Sequence, residues 1–292
     1  MRDLLLALCG GGVGLIVGLT GMGGGAVMTP LLVLGFGIDP LATVSSDLVV
    51  SLVMKPLGGR VHLRHGTVRR DLVAWLCAGS IPAAFGGVLL LKALGNGRDI
   101  EHLVQSLLGV ALFLAVAGML VRPVIGAHRR ADGADGAVHI RPVRTLAIGV
   151  LGGLVVGMTS VGSGSLMIVL LMALYPQLQS RELVGTDLVQ AVPLVASAAF
   201  AHLLFGDVRF DTALALIVGA LPGVWIGAHL SARASDRILR PLLVAILTAS
   251  AAKLLDAPTS MTVALVAVAL APAWWVYVRR PVVAAPVASS VP

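Results

Sequence analysis

Apolar runs of about twenty residues recur along this 292-residue chain, and nothing else in it restricts the fold so strongly. A helix rises about 1.5 Å per residue, so crossing about 30 Å of hydrocarbon takes about 20 apolar residues. Runs of that length lie at 41–61, 72–94 and 100–121, then at 183–204, 211–230 and 239–255. A last one, 261–278, ends in Trp274, Trp275 and Tyr277 ahead of Arg279 and Arg280, the pattern of an interfacial anchor on the cytoplasmic side. Composition agrees: 58% of residues are apolar and 12% charged, where soluble domains carry about 25% charged. Mean hydropathy is +0.98. The net charge of +7 sits in short basic clusters between apolar runs, which speaks for cytoplasmic loops and against a nucleic-acid groove. An all-α polytopic membrane protein is the expectation.

Two further apolar stretches, 4–36 and 145–175, are too long for one plain span. Arg2 and Leu4 to Leu8 resemble the start of a signal peptide. The run continues past Gly10–Gly14 to Phe36 without a cleavage site, so it reads as membrane body. Each stretch is interrupted by small residues, at Gly18–Gly25 and at Gly157–Ser165. Cys9 and Cys77 fall in apolar segments and read as buried thiols, since two such residues make neither a disulfide framework nor a zinc site.

The chain repeats itself. GLTGMGGGAVM at 18–28 aligns with GMTSVGSGSLM at 157–167, and SSDLV at 45–49 with GTDLV at 185–189. HGTVRRD at 65–71 meets FGDVRFD at 205–211, GSIPAAFGG at 79–87 meets GALPGVWIG at 219–227, and His62 meets His202. The expected organisation is a first membrane repeat over 1–121, a basic linker over 122–144, a second repeat over 145–255, and a C-terminal span and tail over 256–292. The linker holds Arg122, Arg129, Arg130, Arg141 and Arg144, which places it in the cytoplasm of a multi-pass inner- or plasma-membrane protein. Matching loops differ in charge. Residues 60–70 carry Arg60, Arg64, Arg69 and Arg70, while 205–211 set Arg209 against Asp207 and Asp211. The loop at 231–240 carries Arg233, Arg237 and Arg240; its counterpart at 95–101 has one arginine and two acids. That is the signature of inverted-topology repeats, each a glycine-broken first segment plus three spans. Two half-helices meeting inside the membrane are expected at each break.

The breaks are where chemistry is expected. Runs such as Gly23, Gly24, Gly25 and Gly162, Ser163, Gly164, Ser165 form helix poorly. Unwound backbone in lipid is tolerated only when buried in protein or lining a wet cavity. Free N–H groups at a helix N-terminus favour an anion, and Thr20, Thr159, Ser160, Ser163 and Ser165 would add hydroxyl donors. Scattered glycines such as Gly86, Gly87, Gly152 and Gly153 read equally well as packing surface. Asp47 and Asp187 occupy matching places. Each is read either as a carboxylate carrying a coupling proton or as an N-cap in the first turn of its helix. Gln190 shares a helical face with Asp187. Lys55 reads as snorkelling to the boundary rather than binding substrate. His62 and His202 read as interfacial hydrogen-bonding groups rather than a proton relay, and Pro82 and Pro222 as kinks.

At the paired glycine motifs the chain resembles the sulfite exporter TauE/SafE family of membrane permeases. The likeness rests on GLTGMGGGAVMTPLL at 18–32, VGMTSVGSGSLM at 156–167, VGTDLVQAVPL at 184–194, FGDVRFD and GALPGVWIG, and covers residues 4–255. It implies movement of sulfite, sulfonates or related organic anions at a site formed by the two glycine-rich segments. The expectation is therefore an anion transporter working by alternating access around a midplane site. Its partners are a small anion, the lipid bilayer and protons as candidate co-substrate, with no cofactor, metal or nucleic acid. An anion channel is the alternative. An intramembrane enzyme is disfavoured because no HExxH motif or nucleophile–base pair stands out.

Overall fold

A computed structural model of the chain describes residues 2–20, 24–64, 66–95, 98–131, 140–175, 177–178, 180–230 and 236–276. Every named element among them is a helix. The first half runs α1 (Arg2–Thr20), α2 (Gly25–Pro30, widened into a π-helical turn over Leu31–Gly35), α3 (Pro40–Arg64), α4 (Arg70–Ala93) and α5 (Arg98–Ala131). The second runs α6 (Pro142–Thr159), α7 (Leu166–Leu174), α8 (Ser180–Phe205), α9 (Phe210–Leu230) and α10 (Asp236–Leu254), and α11 (Thr259–Trp274) follows. Seven helices among the described residues are long and apolar enough to cross a membrane: α1, α3, α4, α5, α6, α8 and α9. α10, also 19 residues long, falls outside that set because of its charges: Asp236, Arg237, Arg240 and Lys253. α5 continues to Ala131, so the first ten residues of the basic joint are helical. Residues 132–139 and the tail beyond 276 lie outside the described residues.

Both glycine-rich stretches are broken where the small residues cluster: α1 ends at Thr20 and α2 begins at Gly25, α6 ends at Thr159 and α7 begins at Leu166. The pieces are unequal, however. α1 and α6, at 19 and 18 residues, are each long enough for a full span, whereas α7 has 9 residues and reaches about 14 Å. The physical reason is that the apolar run ahead of each cluster is itself of span length.

The halves interlock by exchange. α1 packs along α9, and α6 along α4, its counterpart pair under the repeat. Both seams are made of small residues, so backbone meets backbone. A Cβ on Gly10 or Gly14 would lie 2.4 Å from the carbonyl oxygens of Leu216 and Ala220. One on Gly149, Gly153 or Gly157 would lie 2.5, 2.5 and 2.3 Å from those of Leu76, Ser80 and Ala84. Gly152 and Gly87 are packing glycines too, while Gly86 faces open space. Successive contacts advance along both helices together, so each seam is parallel. Matching hydrogen bonds clasp the loops: Arg69 N–H donates to Thr186 Oγ1 at 3.1 Å, and Arg209 N–H to Ser46 Oγ at 3.2 Å. The same arginines pair with Glu182 at 3.9 Å and Asp39 at 2.8 Å.

α3 and α8, equivalent under the repeat, pack against each other in opposite directions. Ser45, near the start of α3, meets His202, near the end of α8, and Gly59, late in α3, meets Leu188 and Val192, earlier in α8. This pair carries a buried polar stripe through the apolar core. Thr43, Ser45, Ser46, Asp47, Ser51 and Lys55 of α3 are buried, as are Thr186, Asp187, Gln190 and His202 of α8. Large apolar side chains such as Leu151, Phe200, Leu214, Val218 and Trp225 point outward. Buried polar side chains within this pair, together with large apolar side chains on the outside of the body, suit a lipid-embedded protein.

Candidate functional site

The two breaks touch. Gly25, at the start of α2, sits so close to the Ser160 carbonyl that a Cβ there would lie 2.3 Å from the oxygen. Ser160 closes α6 with a left-handed backbone (φ 58°), and Gly162 and Gly164 follow at φ 128° and 90°. Glycine suits the last two because positive φ carries no Cβ penalty there, which is why this segment leaves helical geometry. Gly21 to Gly23 lie outside the described residues; Gly24 is buried, and its carbonyl accepts the N–H groups of Val27 and Met28, starting α2.

α3 and α8 bring charge to this junction. Asp47 is wholly buried, and its Oδ2 accepts from Ser160 Oγ at 2.6 Å and Thr29 Oγ1 at 3.1 Å, one donor from each half. Asp187, also buried, accepts the Gly164 N–H at 2.6 Å. Lys55 is 7% exposed, donates to Ser163 Oγ at 2.5 Å and lies in electrostatic reach of both carboxylates. Among the described residues, Asp47 Oδ1 and Gln190 Oε1 are buried without a hydrogen-bond partner. Gln190 Nε2 donates to Ser80 Oγ at 2.7 Å.

Several sequence expectations change here. Asp47 and Asp187 are not N-caps: α3 begins at Pro40 and α8 at Ser180, so each acid lies two turns inside. Lys55 does not snorkel outward but crosses to the second break, where two buried acids compensate its charge. His202 is fully buried rather than interfacial. Its Nε2 donates to the Gly157 carbonyl at 2.9 Å and its Nδ1 pairs with Ser45 Oγ at 2.7 Å. The side chain of His62 lies outside those described. Cys9 and Cys77 are free and only half-buried. Pro82 and Pro222 do sit inside α4 and α9.

The expected donors are mostly engaged with protein. Thr20 Oγ1 donates to the Ile16 carbonyl at 2.7 Å and Thr159 Oγ1 to that of Val155 at 2.6 Å, each inside its own helix. Ser160 and the Gly164 amide serve the two carboxylates, and Ser163 receives Lys55. Beside the second break, a cleft of about 30 Å³ opens between Thr20, Met119, Gly164, Ser165, Val169 and Arg240. It holds one or two water-sized bodies. Arg240, taken in the sequence as part of a loop, is half-buried on α10. Only the packing of α10 against α5 reveals it, since its sequence setting is that of a boundary arginine. Among the described residues no three His, Cys, Asp or Glu side chains gather as metal ligands.

Residues 6–254 match the sulfite exporter TauE/SafE family. The chain belongs to that family. A probable membrane transporter protein of Bacillus subtilis, YjnA, is 36% identical over 249 residues, covering 83% of this chain and 96% of the relative. Another from the same organism, YdhB, is 24% identical over 217 residues, covering 74% of this chain and 85% of the relative. No solved structure matches the chain. As a TauE/SafE member it is a multi-pass membrane transporter and not an enzyme. The family match spans both breaks and both buried acids, so the junction described above lies within the shared transporter body.

Proposed function

We propose that this transporter moves small anions such as sulfite, sulfonates or related organic anions, by alternating access around the junction of the two breaks. One observation carries the reading: the segment after α6, which leaves helical geometry at Ser160 to Gly164, meets the start of α2 more than a hundred residues away, beside a small cleft and a group of buried polar and charged side chains. Irregular backbone at such a place is tolerated where it lines a cavity. The proposed contact residues are Thr20, Gly23, Gly24, Gly25, Thr159, Ser160, Gly162, Ser163, Gly164 and Ser165.

Asp47, Asp187 and Gln190 are the proposed coupling group. Were both acids ionised beside a charged Lys55, the cluster would carry one negative charge in excess, and an arriving anion would deepen it. A proton taken up with the solute would remove that excess, which supports proton-coupled movement.

The antiparallel packing of the equivalent helices α3 and α8 supports an inverted arrangement of the halves, since a two-fold axis lying across the helices is what reverses one against the other. The arginines of the 122–144 joint support a cytoplasmic place for it in an inner or plasma membrane. Flux into vesicles of sulfite, sulfonates, sulfate and carboxylates, with and without a pH gradient, tests the proposal. Saturable counterflow of labelled sulfite or sulfonate is expected; linear, unsaturable flux would instead mark a channel.

A further inference from the structure

We infer that the two loop clasps are the paired gates of the solute path: Arg209 on Ser46 and Asp39 closes one end of the α3–α8 pair, and Arg69 on Thr186 and Glu182 closes the other. The inference rests on the alternating-access reading and deepens it by naming the parts that open.

The clasps stand at opposite ends of the buried polar stripe. α3 and α8 pack in opposite directions, Ser45 against His202 and Gly59 against Leu188. Ser46 is therefore level with the end of α8, and Thr186 with the end of α3. At about 1.5 Å per residue the two hydroxyls lie about 20–25 Å apart along the pair. Asp47 follows Ser46, and Asp187 follows Thr186. Ser51 and Lys55 succeed Asp47 at steps of one turn and share its face. Asp47 touches Ser160, Lys55 touches Ser163 and Asp187 touches Gly164, so the second break runs alongside the stripe from one clasp toward the other.

Each clasp also straddles the boundary between water and interior. Ser46 and Thr186 are 1% and 0% exposed, while the side chains of Arg209 and Arg69 are 38% and 32% exposed. Asp71 flanks Arg69 as well, at 3.8 Å. Half-exposed ion pairs and a single N–H···O bond are weak contacts, which can break and re-form in every transport cycle. Under the repeat Arg69 matches Arg209 and Ser46 matches Thr186, each at an offset of 140, so one device is present twice. Between the clasps both helices carry a proline at the same level. Pro56 follows Lys55 in α3, and Pro193 of α8 adjoins Val192, which lies against Gly59. Proline removes a helical hydrogen bond, so a bend there parts one end of the pair while the other stays closed.

The test reads access from each face. Ser51→Cys, buried in the stripe, is placed in the full chain with Cys9→Ser and Cys77→Ser. An anionic, membrane-impermeant methanethiosulfonate is then applied to right-side-out and inverted membrane vesicles. Ser46→Ala removes the acceptor of the Arg209 clasp. It should speed labelling about fivefold from the face of the 206–209 loop alone, the factor by which one lost hydrogen bond shifts a two-state equilibrium. Thr186→Val should do the same from the opposite face alone. Thr248→Val, which removes an intrahelical hydroxyl on α10, should leave both rates unchanged. No acceleration by Ser46→Ala and Thr186→Val, or acceleration from both faces by either, overturns the inference. If a hydroxyl variant fails to insert, cross-linking decides, with Ser46→Cys plus Arg209→Cys in one chain and Arg69→Cys plus Thr186→Cys in another. Each disulfide is expected to cut counterflow of labelled sulfite more than tenfold, with recovery on reduction. Undiminished counterflow through a cross-linked chain overturns the gates and leaves anion transport standing. Side-selective labelling in a chain that carries no sulfite, sulfonate or carboxylate supports the gates and overturns the anion reading instead.

Discussion

At the scale of single residues, charge and clearance at the junction decide most. Lys55 faces Asp47 and Asp187, and removing it strands two buried acids. Lys55→Met is expected to cost about 3–5 kcal/mol of stability, and adding Asp187→Asn should recover part of it, as measured by unfolding in detergent. Clearance separates two neighbouring glycines. A Cβ on Gly25 would meet the Ser160 carbonyl at 2.3 Å and Asp47 Oδ2 at 2.9 Å, whereas one on Gly24 meets only side-chain atoms at 3.7 Å or beyond. Gly25→Ala should therefore lower vesicle flux by more than tenfold in an inserted protein, and Gly24→Ala should keep most of it. Equal fluxes would show that the contact between the breaks is irrelevant to transport.

At the scale of helices, the seams between α1 and α9 and between α4 and α6 are held by close backbone approach. In lipid there is little hydrophobic drive between helices, so packing and small-residue contact take its place. Gly223 lies against the Gly11 carbonyl, where a Cβ would come within 2.2 Å, while nothing lies within 4 Å of one on Gly86. Gly223→Ala is expected to destabilise by about 1–3 kcal/mol, and Gly86→Ala to stay within about 0.5 kcal/mol, both read from thermal unfolding in detergent. The loop clasps contribute less through charge. Arg209 and Asp39 are 38% and 50% exposed, so Asp39→Asn should change stability by less than about 1 kcal/mol.

At the scale of the whole molecule, the arrangement of the halves is the claim to test. The repeat pairs Thr67 with Asp207, and the inverted arrangement places them on opposite faces of the membrane. Gly66 and Gly206 are worse probes, because Gly66 has φ 65° and a Cβ on Gly206 would crowd His202 and Ser45. Thr67→Cys and Asp207→Cys, each in a chain without Cys9 and Cys77, should react with an impermeant thiol reagent from opposite sides. Labelling of both from one side would exclude the inversion.

The amino-acid sequence by itself determined the all-helical membrane body and the places where the glycine-rich runs leave the flanking helices, and it singled out Asp47 and Asp187 as acids inside or beside spans. Those properties follow from local runs of hydropathy, from glycine's poor helix propensity and from the spacing of motifs, all of which are one-dimensional. It misplaced Lys55, took Arg240 for a loop residue, and read His202 as interfacial. These errors share a cause: a polar residue near a span end has the same sequence signature whether it faces water or a buried partner. Only the tertiary structure decided which donors in the breaks are already engaged, because Asp47, Asp187 and Lys55 reach those donors from α3 and α8, helices that come together only through long-range packing.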